Sequence, residues 1–321
     1  MSIKSIAKRL IHSTPIGRKW TDSRNQANQQ RDWSTVHSSR FGKTEFSMFT
    51  SVGLGDVMIA RQICKEFVTY CEQHGDPQLG RIIITAGAWP KGFRVTEGDH
   101  NIYWWWSMNG QDDWLETYLA AVNVQPDVVA CLSSWCVNYA SKLGCRTLYL
   151  PLAVGESFQP LQQLRSGVGF AGSKGHKDSP QVEAIVAPFM DQPNFEWATN
   201  ISAPGLLSEF YNRKQLTLGM TEIYQEKTGM VNNRVFEVLA TGTPFIIHRH
   251  RALEEVLEHD FPYQSDSAAQ TRQLAEEIFA DYPKHLEIFG HYQRIVDSKH
   301  RYQHRLGTLL SYLSQRAPQR G

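Results

Sequence analysis

The chain has 321 residues, of which 41% are apolar, 20% charged and 11% aromatic, a composition that excludes a disordered or fibrous protein and predicts about two folded domains. Lys and Arg number 33 against 32 for Asp and Glu, a formal charge of +1, so no global field favours a nucleic acid or a strongly acidic substrate. Strongly apolar runs, such as those around residues 82–84 and 244–247, fall far short of the roughly 20 residues of a membrane-spanning helix.

Any electrostatic specialisation is therefore local, and the first 50 residues show it, with nine basic side chains against three acidic ones. Ile3, Ile6, Leu10 and Ile11 recur at near-helical spacing between the cations. This stretch reads either as an amphipathic patch for anionic lipid or a polyanionic acceptor, or as a solvated leader. Lys4, Lys8 and Arg9 interrupt any secretory signal, which implies a cytoplasmic chain, with peripheral membrane contact through residues 1–20 as the functional alternative. The Gln-, Asn-, Ser- and Arg-rich stretch 23–39 reads as a loop or linker. Residues 1–44 are thus set apart as a basic leader.

From Phe46 the pattern alternates between strand and helix. Residues 46–51 predict a strand, 52–56 a Gly-containing turn, and 57–71 a helix with Val57, Ile59, Ile63, Phe67 and Val68 on its apolar face. Further strands are predicted at 81–86, 101–107, 127–132 and 146–150, with helices over 112–122 and 135–143. The segment 151–160, PLAVGESFQP, breaks the pattern and marks a boundary near residue 160. A second series follows, with strands at 167–172, 195–199, 216–219 and 244–248 and helices over 179–190, 205–214 and 232–239. A helix at 253–259, a short strand near 261–264 and a helix-compatible run from 268 to 315 complete it. The expectation is an α/β protein of two Rossmann-like domains, 45–160 and 161–315, each a parallel sheet with helices on both faces.

Five cysteines, Cys64, Cys71, Cys131, Cys136 and Cys145, form no CxxC pair. That excludes a disulfide framework or a Cys-based zinc site and predicts reduced, mostly buried thiols.

The most informative run is NRVFEVLATGTPFIIH, 233–248. Arg234 and Glu237 stand three residues apart on one helix face, Gly242 closes that helix, and Pro244 opens a buried strand. On spacing alone, the pair is either a ligand site, with the carboxylate accepting from sugar hydroxyls and the guanidinium balancing phosphate, or a surface ion pair.

The run R-x-F-E-x-L-A-x-G-x-P, here Arg234, Phe236, Glu237, Leu239, Ala240, Gly242 and Pro244, resembles the donor-binding signature of GT-B-fold glycosyltransferases. It is most similar to the group 1 and group 4 transferases and their spore-maturation branch. LYLPLAVGESFQP (148–160), VGFAGS (168–173), LEEVLEHDF (253–261) and HRYQHRLGTLL (300–310) resemble further landmarks of that branch in order, over roughly residues 125–312. The resemblance implies two domains facing a cleft, closed by C-terminal helices, with a nucleotide sugar held by the second domain. It places Arg234 and Glu237 at the donor and brings the turn after the first donor-domain strand, GSKGHK, to the pyrophosphate. Gly172, Lys174, Gly175 and Lys177 suit that turn by close backbone approach and positive charge; a solvated loop is the competing reading.

Many retaining members carry a second Glu eight residues before the position of Glu237, where this chain has Gly229. Retaining and inverting stereochemistry therefore stay open. In the first domain, SVGLGD (51–56) places Gly53 and Gly55 in a loop that suits a phosphate or acceptor oxygen. A nicotinamide fingerprint is not completed, because the third glycine position holds Met58. The cluster Tyr103, Trp104, Trp105, Trp106, Asn109, Asp112, Asp113 and Trp114 reads either as a sugar-stacking acceptor platform or as a core strand. His248 and His250, and His300 and His304, have metal-compatible spacings without a third ligand and read as structural. No D-x-D is present.

The expected activity is transfer of a sugar, hexosyl by type, from a nucleotide-sugar donor to a glycan, lipid-linked, protein or other acceptor. No cofactor or metal is expected. Lysine, arginine and helix N-termini would stabilise the diphosphate leaving group. Asp56, His100 and Asp113 are the candidate bases. A catalytically silent GT-B-like binding protein, or an adaptor for membrane or nucleic acid using the basic leader, are the alternatives.

Overall fold

The computed structural model describes residues 35–50, 54–86, 97–106, 113–173 and 179–315. The expected leader helix, Gly53, Asn109, Asp112, Lys174, Gly175 and Lys177 lie outside these residues. Two sheets organise the chain. The first holds β1 (Thr35–Phe41), β2 (Thr44–Thr50), β3 (Arg81–Ala86), β4 (His100–Trp105), β5 (Val128–Cys131) and β6 (Thr147–Tyr149). Its helices are α1 (Leu54–His74), α2 (Trp114–Ala121) and α3 (Ser134–Lys142).

The stretch read as a linker is partly a strand. β1 pairs antiparallel with β2 from Thr35↔Thr50 to Phe41↔Thr44. The hairpin turn is fixed by Gly42 (φ 56), where a Cβ would stand 2.3 Å from Asp76 Oδ2. That carboxylate accepts from the Lys43 amide at 2.7 Å and the Thr44 hydroxyl at 2.7 Å. A polar edge strand carries little periodic signal, so composition read it as loop.

The pairings β2–β3, β3–β4, β4–β5 and β5–β6 are all parallel, and the strand order is sequential from β1 to β6. A doubly wound sheet reverses its order at a switch point, and this sheet does not, which corrects the Rossmann-like expectation for the first half. The hairpin explains it: β1 occupies one edge of β2, so every later strand adds on the other edge.

β4 settles the aromatic cluster as core. Tyr103, Trp104, Trp105, Trp106 and Trp114 are all at most 5% exposed, because a central strand covered on both faces buries both side-chain parities. Trp104 Nε1 donates to the Leu150 carbonyl at 2.9 Å and Trp114 Nε1 to the Tyr103 hydroxyl at 2.9 Å. The described tryptophans of this cluster are core and not an open sugar platform.

The second sheet is wholly parallel, with β7 (Val168–Ala171), β8 (Phe195–Ala198), β9 (Leu216–Gly219), β10 (Phe245–His248) and β11 (Gln264–Ser265). Its order is 11-10-9-7-8, so the sense of winding reverses between β7 and β9 as in a doubly wound fold. Around it lie α4 (Pro180–Ile185), α5 (Pro204–Asn212), α6 (Ile223–Thr228), α7 (Asn233–Ala240), α8 (Leu253–Leu257), α9 (Ala268–Ala280), α10 (Tyr282–Lys299) and α11 (Tyr302–Ser314). α6 falls in a stretch assigned no element from sequence. It ends at Gly229, φ 71, the left-handed stop that glycine serves.

The last helix crosses back to the first sheet's side. Gln303 Nε2 donates to the Glu66 carbonyl at 3.1 Å and to its carboxylate at 2.6 Å. Tyr70 of α1 packs on Gly307, and a Cβ there would lie 3.4 Å from its hydroxyl. Arg301 and Arg305 donate to the carbonyls of Gly155, Phe158 and Pro151 at 2.7–2.9 Å. The connecting segment is thereby held by side chains rather than left as a free linker. Among the described residues no helix is long and apolar enough to cross a membrane. The five cysteines are free and four are buried.

Candidate functional site

In an open parallel sheet, ligands gather outside the carboxyl ends of the strands where the order reverses. Here that place lies between β7, which ends at Ala171 before Gly172, and β9, which ends at Gly219 before Met220. α7 is pinned to it at its start. Asn232, the residue before the helix, donates from Nδ2 to the Met220 carbonyl at 3.2 Å and to Gln225 Oε1 at 3.4 Å. The amino end of α7 therefore sits at the carboxyl end of β9, with its unsatisfied N–H groups and positive dipole end.

Within the first turn of α7, the Arg234 guanidinium lies 5.2 Å above the Phe170 ring. Gly172 makes room for it, since a Cβ there would stand 2.9 Å from the Phe170 ring and 3.4 Å from Arg234 Nη2. Gly172 and Arg234 are thus brought together at the reversal point. The half-buried guanidinium is the described cation suited to an anionic group there.

Glu237 follows on the same helix but faces inward, at 3% exposure. Its Oε1 accepts from Asn233 Nδ2 at 2.6 Å. Burial pushes its carboxyl up to about 7, with Arg234 and the Asn233 hydrogen bond opposing. The phenols of Tyr211 and Tyr302 are raised by burial and next by this carboxylate.

Gly242 stands at the other end of α7, with φ 62, and a Cβ built there would come no closer than 4.0 Å, to Gln293 Cβ. It closes the helix and is not brought to the arginine.

On the first sheet, Asp56 and Gly55 lie in the first turn of α1, beyond the carboxyl end of β2. A Cβ on Gly55 would meet nothing within 4 Å, so packing does not demand glycine there. Asp113 is exposed and precedes α2, beyond the carboxyl end of β4. His100 begins β4, which puts it at the amino end of the strands, one strand length or roughly 17 Å from the end that Asp113 follows. The structure does not bring the three candidate bases together, because a strand separates His100 from the two aspartates.

The carboxyl-end loops of the two sheets meet. Ser133, after β5, donates to the carbonyl of Thr228, the last residue of α6, at 2.6 Å, and accepts from the Cys136 amide to cap α3. A pocket of ≈ 180 Å³ at this seam is lined by Ser133, Trp135, Thr228, Gly229 and Arg251. A larger cleft of ≈ 710 Å³ runs between the halves past Ser134, Tyr149, Glu255, His300 and Arg305. At Gly229 a Cβ would stand 3.3 Å from Ala252 and 3.4 Å from Ser133. The position eight residues before Glu237 is therefore occupied by the seam.

Three of the four spaced histidines are held by hydrogen bonds within the fold. His250 Nε2 pairs with the Met230 carbonyl at 3.1 Å, and its Nδ1 accepts from the Ala252 amide at 3.2 Å. His300 Nδ1 accepts from Arg305 at 2.9 Å, and burial followed by Arg305 pushes it down to about 3. His304 Nδ1 caps α11 by accepting from the Arg301 amide at 3.2 Å. Sequence reasoning missed the Ser133–Thr228 seam and the Tyr211–Tyr302–Glu237 network. Both join residues far apart in the chain and leave no local spacing signal.

Residues 181–311 match the profile of a family described as "Glycosyl transferase-like". No curated protein matches the chain. Among solved structures it is similar to one described as the crystal structure of the GtfA/B complex, at 13% identity and a TM-score of 0.39. The similarity covers 77% of this chain and 55% of that one, so the chain spans about half that protein's length. The profile match falls wholly on the half of the chain built around the second sheet.

Proposed function

We propose that the protein is a GT-B-type glycosyltransferase of the group 1 and group 4 kind, moving a hexosyl group from a nucleotide-sugar donor to an acceptor bound on the first sheet's side. The observation that carries this reading is the coincidence of Arg234, Gly172 and the amino end of α7 at the point where the second sheet reverses its order. The donor diphosphate would lie against the guanidinium and the helix start, which together offset its charge as the bond to the sugar breaks. This role for Arg234, joined by Lys174 and Lys177, makes the reaction metal-independent. Asp56 and Asp113, both beyond carboxyl ends of strands, supply the base an inverting reaction needs.

A thermal-shift panel of UDP, GDP, ADP and CMP with their sugar conjugates, with and without EDTA, tests it. A ligand at 100 times its Kd adds about 2.7 kcal/mol of stability. One nucleotide family should stabilise the wild type regardless of EDTA, and Arg234→Ala should lose about 1.5–3 kcal/mol of that binding. Unchanged affinity in Arg234→Ala would remove the donor assignment.

One observation favours a second reading, a catalytically silent sugar-nucleotide binder. Gly229 stands where a second carboxylate would, and the seam fills that space. Nucleotide-sugar binding with no release of free nucleotide, with or without acceptor glycans, would select it.

A further inference from the structure

Outside the cleft, two histidines that are 32 residues apart in sequence meet. His259 lies just beyond α8, after Glu258, whose φ of 52 turns the chain sharply. His291 lies within α10. Their Nε2 atoms are 3.2 Å apart, and the ring centroids are 4.9 Å apart with planes at 61°. Both residues are exposed, and neither lines the clefts described above.

We propose that His259 and His291 form a two-imidazole site for a divalent transition-metal ion, bridging the turn after α8 to α10. Two neutral rings at this distance share one proton between two lone pairs, and a cation between them would engage both. With metal–nitrogen bonds of about 2.05 Å, the 3.2 Å edge gives an N–metal–N angle of about 103°, close to tetrahedral, and puts the centroids about 5 Å apart. The observed centroid distance of 4.9 Å matches, so little ring movement is needed.

The mounting is stiff on both sides. Tyr292, beside His291, donates to the Asp260 carbonyl at 2.5 Å, next to His259. Phe261 is fully buried, 5.0 Å from the Tyr292 ring, and Lys299 of α10 pairs with Glu258. Residues 258–261 are thus stapled to α10, which holds the two imidazoles in register before any ion arrives. Among the described residues no third His, Cys, Asp or Glu joins them, so water or an external donor completes the shell. Imidazole selects zinc, nickel and copper over magnesium and calcium.

The full-length protein, stripped with EDTA and dialysed, is titrated with ZnCl2, NiCl2 and MgCl2 by calorimetry, alongside His259→Ala and His291→Ala. One equivalent of zinc or nickel should bind the wild type, at least about tenfold more weakly in either variant, and magnesium should give no binding. As a second readout, zinc should raise the thermal midpoint of the wild type and of neither variant. Both side chains are exposed, so the metal-free midpoints should coincide, which verifies that the variants fold. Equal zinc affinity in all three proteins, or none in the wild type, would overturn the proposal.

Discussion

Replacing Glu237 by Gln should change how stability depends on pH, in a direction the burial of this carboxyl dictates. Its pKa rises from an ordinary 4.5 to about 7 in the folded chain, chiefly by burial. Between these values the native state holds a proton that the unfolded state has released, so this group's contribution is fully present below pH 4.5 and is lost as pH rises through 7. At 1.36 kcal/mol per pKa unit the contribution is about 3 kcal/mol, of which about 2–3 kcal/mol disappears between pH 5 and pH 8. Glutamine is neutral throughout and keeps the acceptor that faces Asn233 Nδ2. Urea unfolding of wild type and Glu237→Gln at pH 5, 6, 7 and 8 measures it, and the variant should gain on the wild type by about 2–3 kcal/mol across that range. His300 works the other way, because its depressed pKa of about 3 removes stability as pH falls below 6.5, but it is common to both proteins and cancels in the difference. A pH-independent difference would refute the reasoning, since it would mean that the carboxyl ionises in the fold as it does in water.

Three further outcomes follow from the geometry. Gly242→Ala should cost about 1–2 kcal/mol through its left-handed φ while leaving nucleotide-sugar affinity unchanged, checked by denaturation and thermal shift together. Ser133→Ala removes the α3 cap and the hydrogen bond to Thr228, and should lower stability by about 1–2 kcal/mol in urea unfolding. Gly229→Glu should be at least as destabilising, because its φ of 71 and the contacts to Ala252 and Ser133 leave no room for a side chain. A gain of transferase activity in that variant would show that the seam opens readily.

Much of the second half was legible because its signals are local. Buried strands such as Leu216–Gly219 are short apolar runs bounded by breakers. α7 shows its apolar face through Val235, Phe236 and Leu239, and Gly242 marks its end. The family resemblance, rather than any local signal, set Arg234 and the Gly172 turn at one site, and the structure places the two side by side. Other features were not legible, for three physical reasons. β1 is a polar edge strand held by its partner and by Asp76 rather than by an apolar face. Trp104 and Trp105 alternate across a strand whose two faces are both covered, so alternation could not tell a platform from a core. His100 needed strand direction, a property of the assembled sheet, to be separated from Asp56 and Asp113, and the His259–His291 pair needed the packing of a turn on a helix.

The return of α11 to α1 sets an order of events for synthesis. Glu66 and Gln303 are 237 residues apart, and the face of α1 around Tyr70 stays open until the last helix emerges. The first sheet can form early, yet its surface is completed only when α11 packs on α1. A nascent or C-terminally truncated chain would therefore expose an apolar flank on its first half, the half that contains no part of the deletion. Loss of the final 20 residues should register in the solubility and protease sensitivity of α1, far from the cut in sequence and adjacent to it in space.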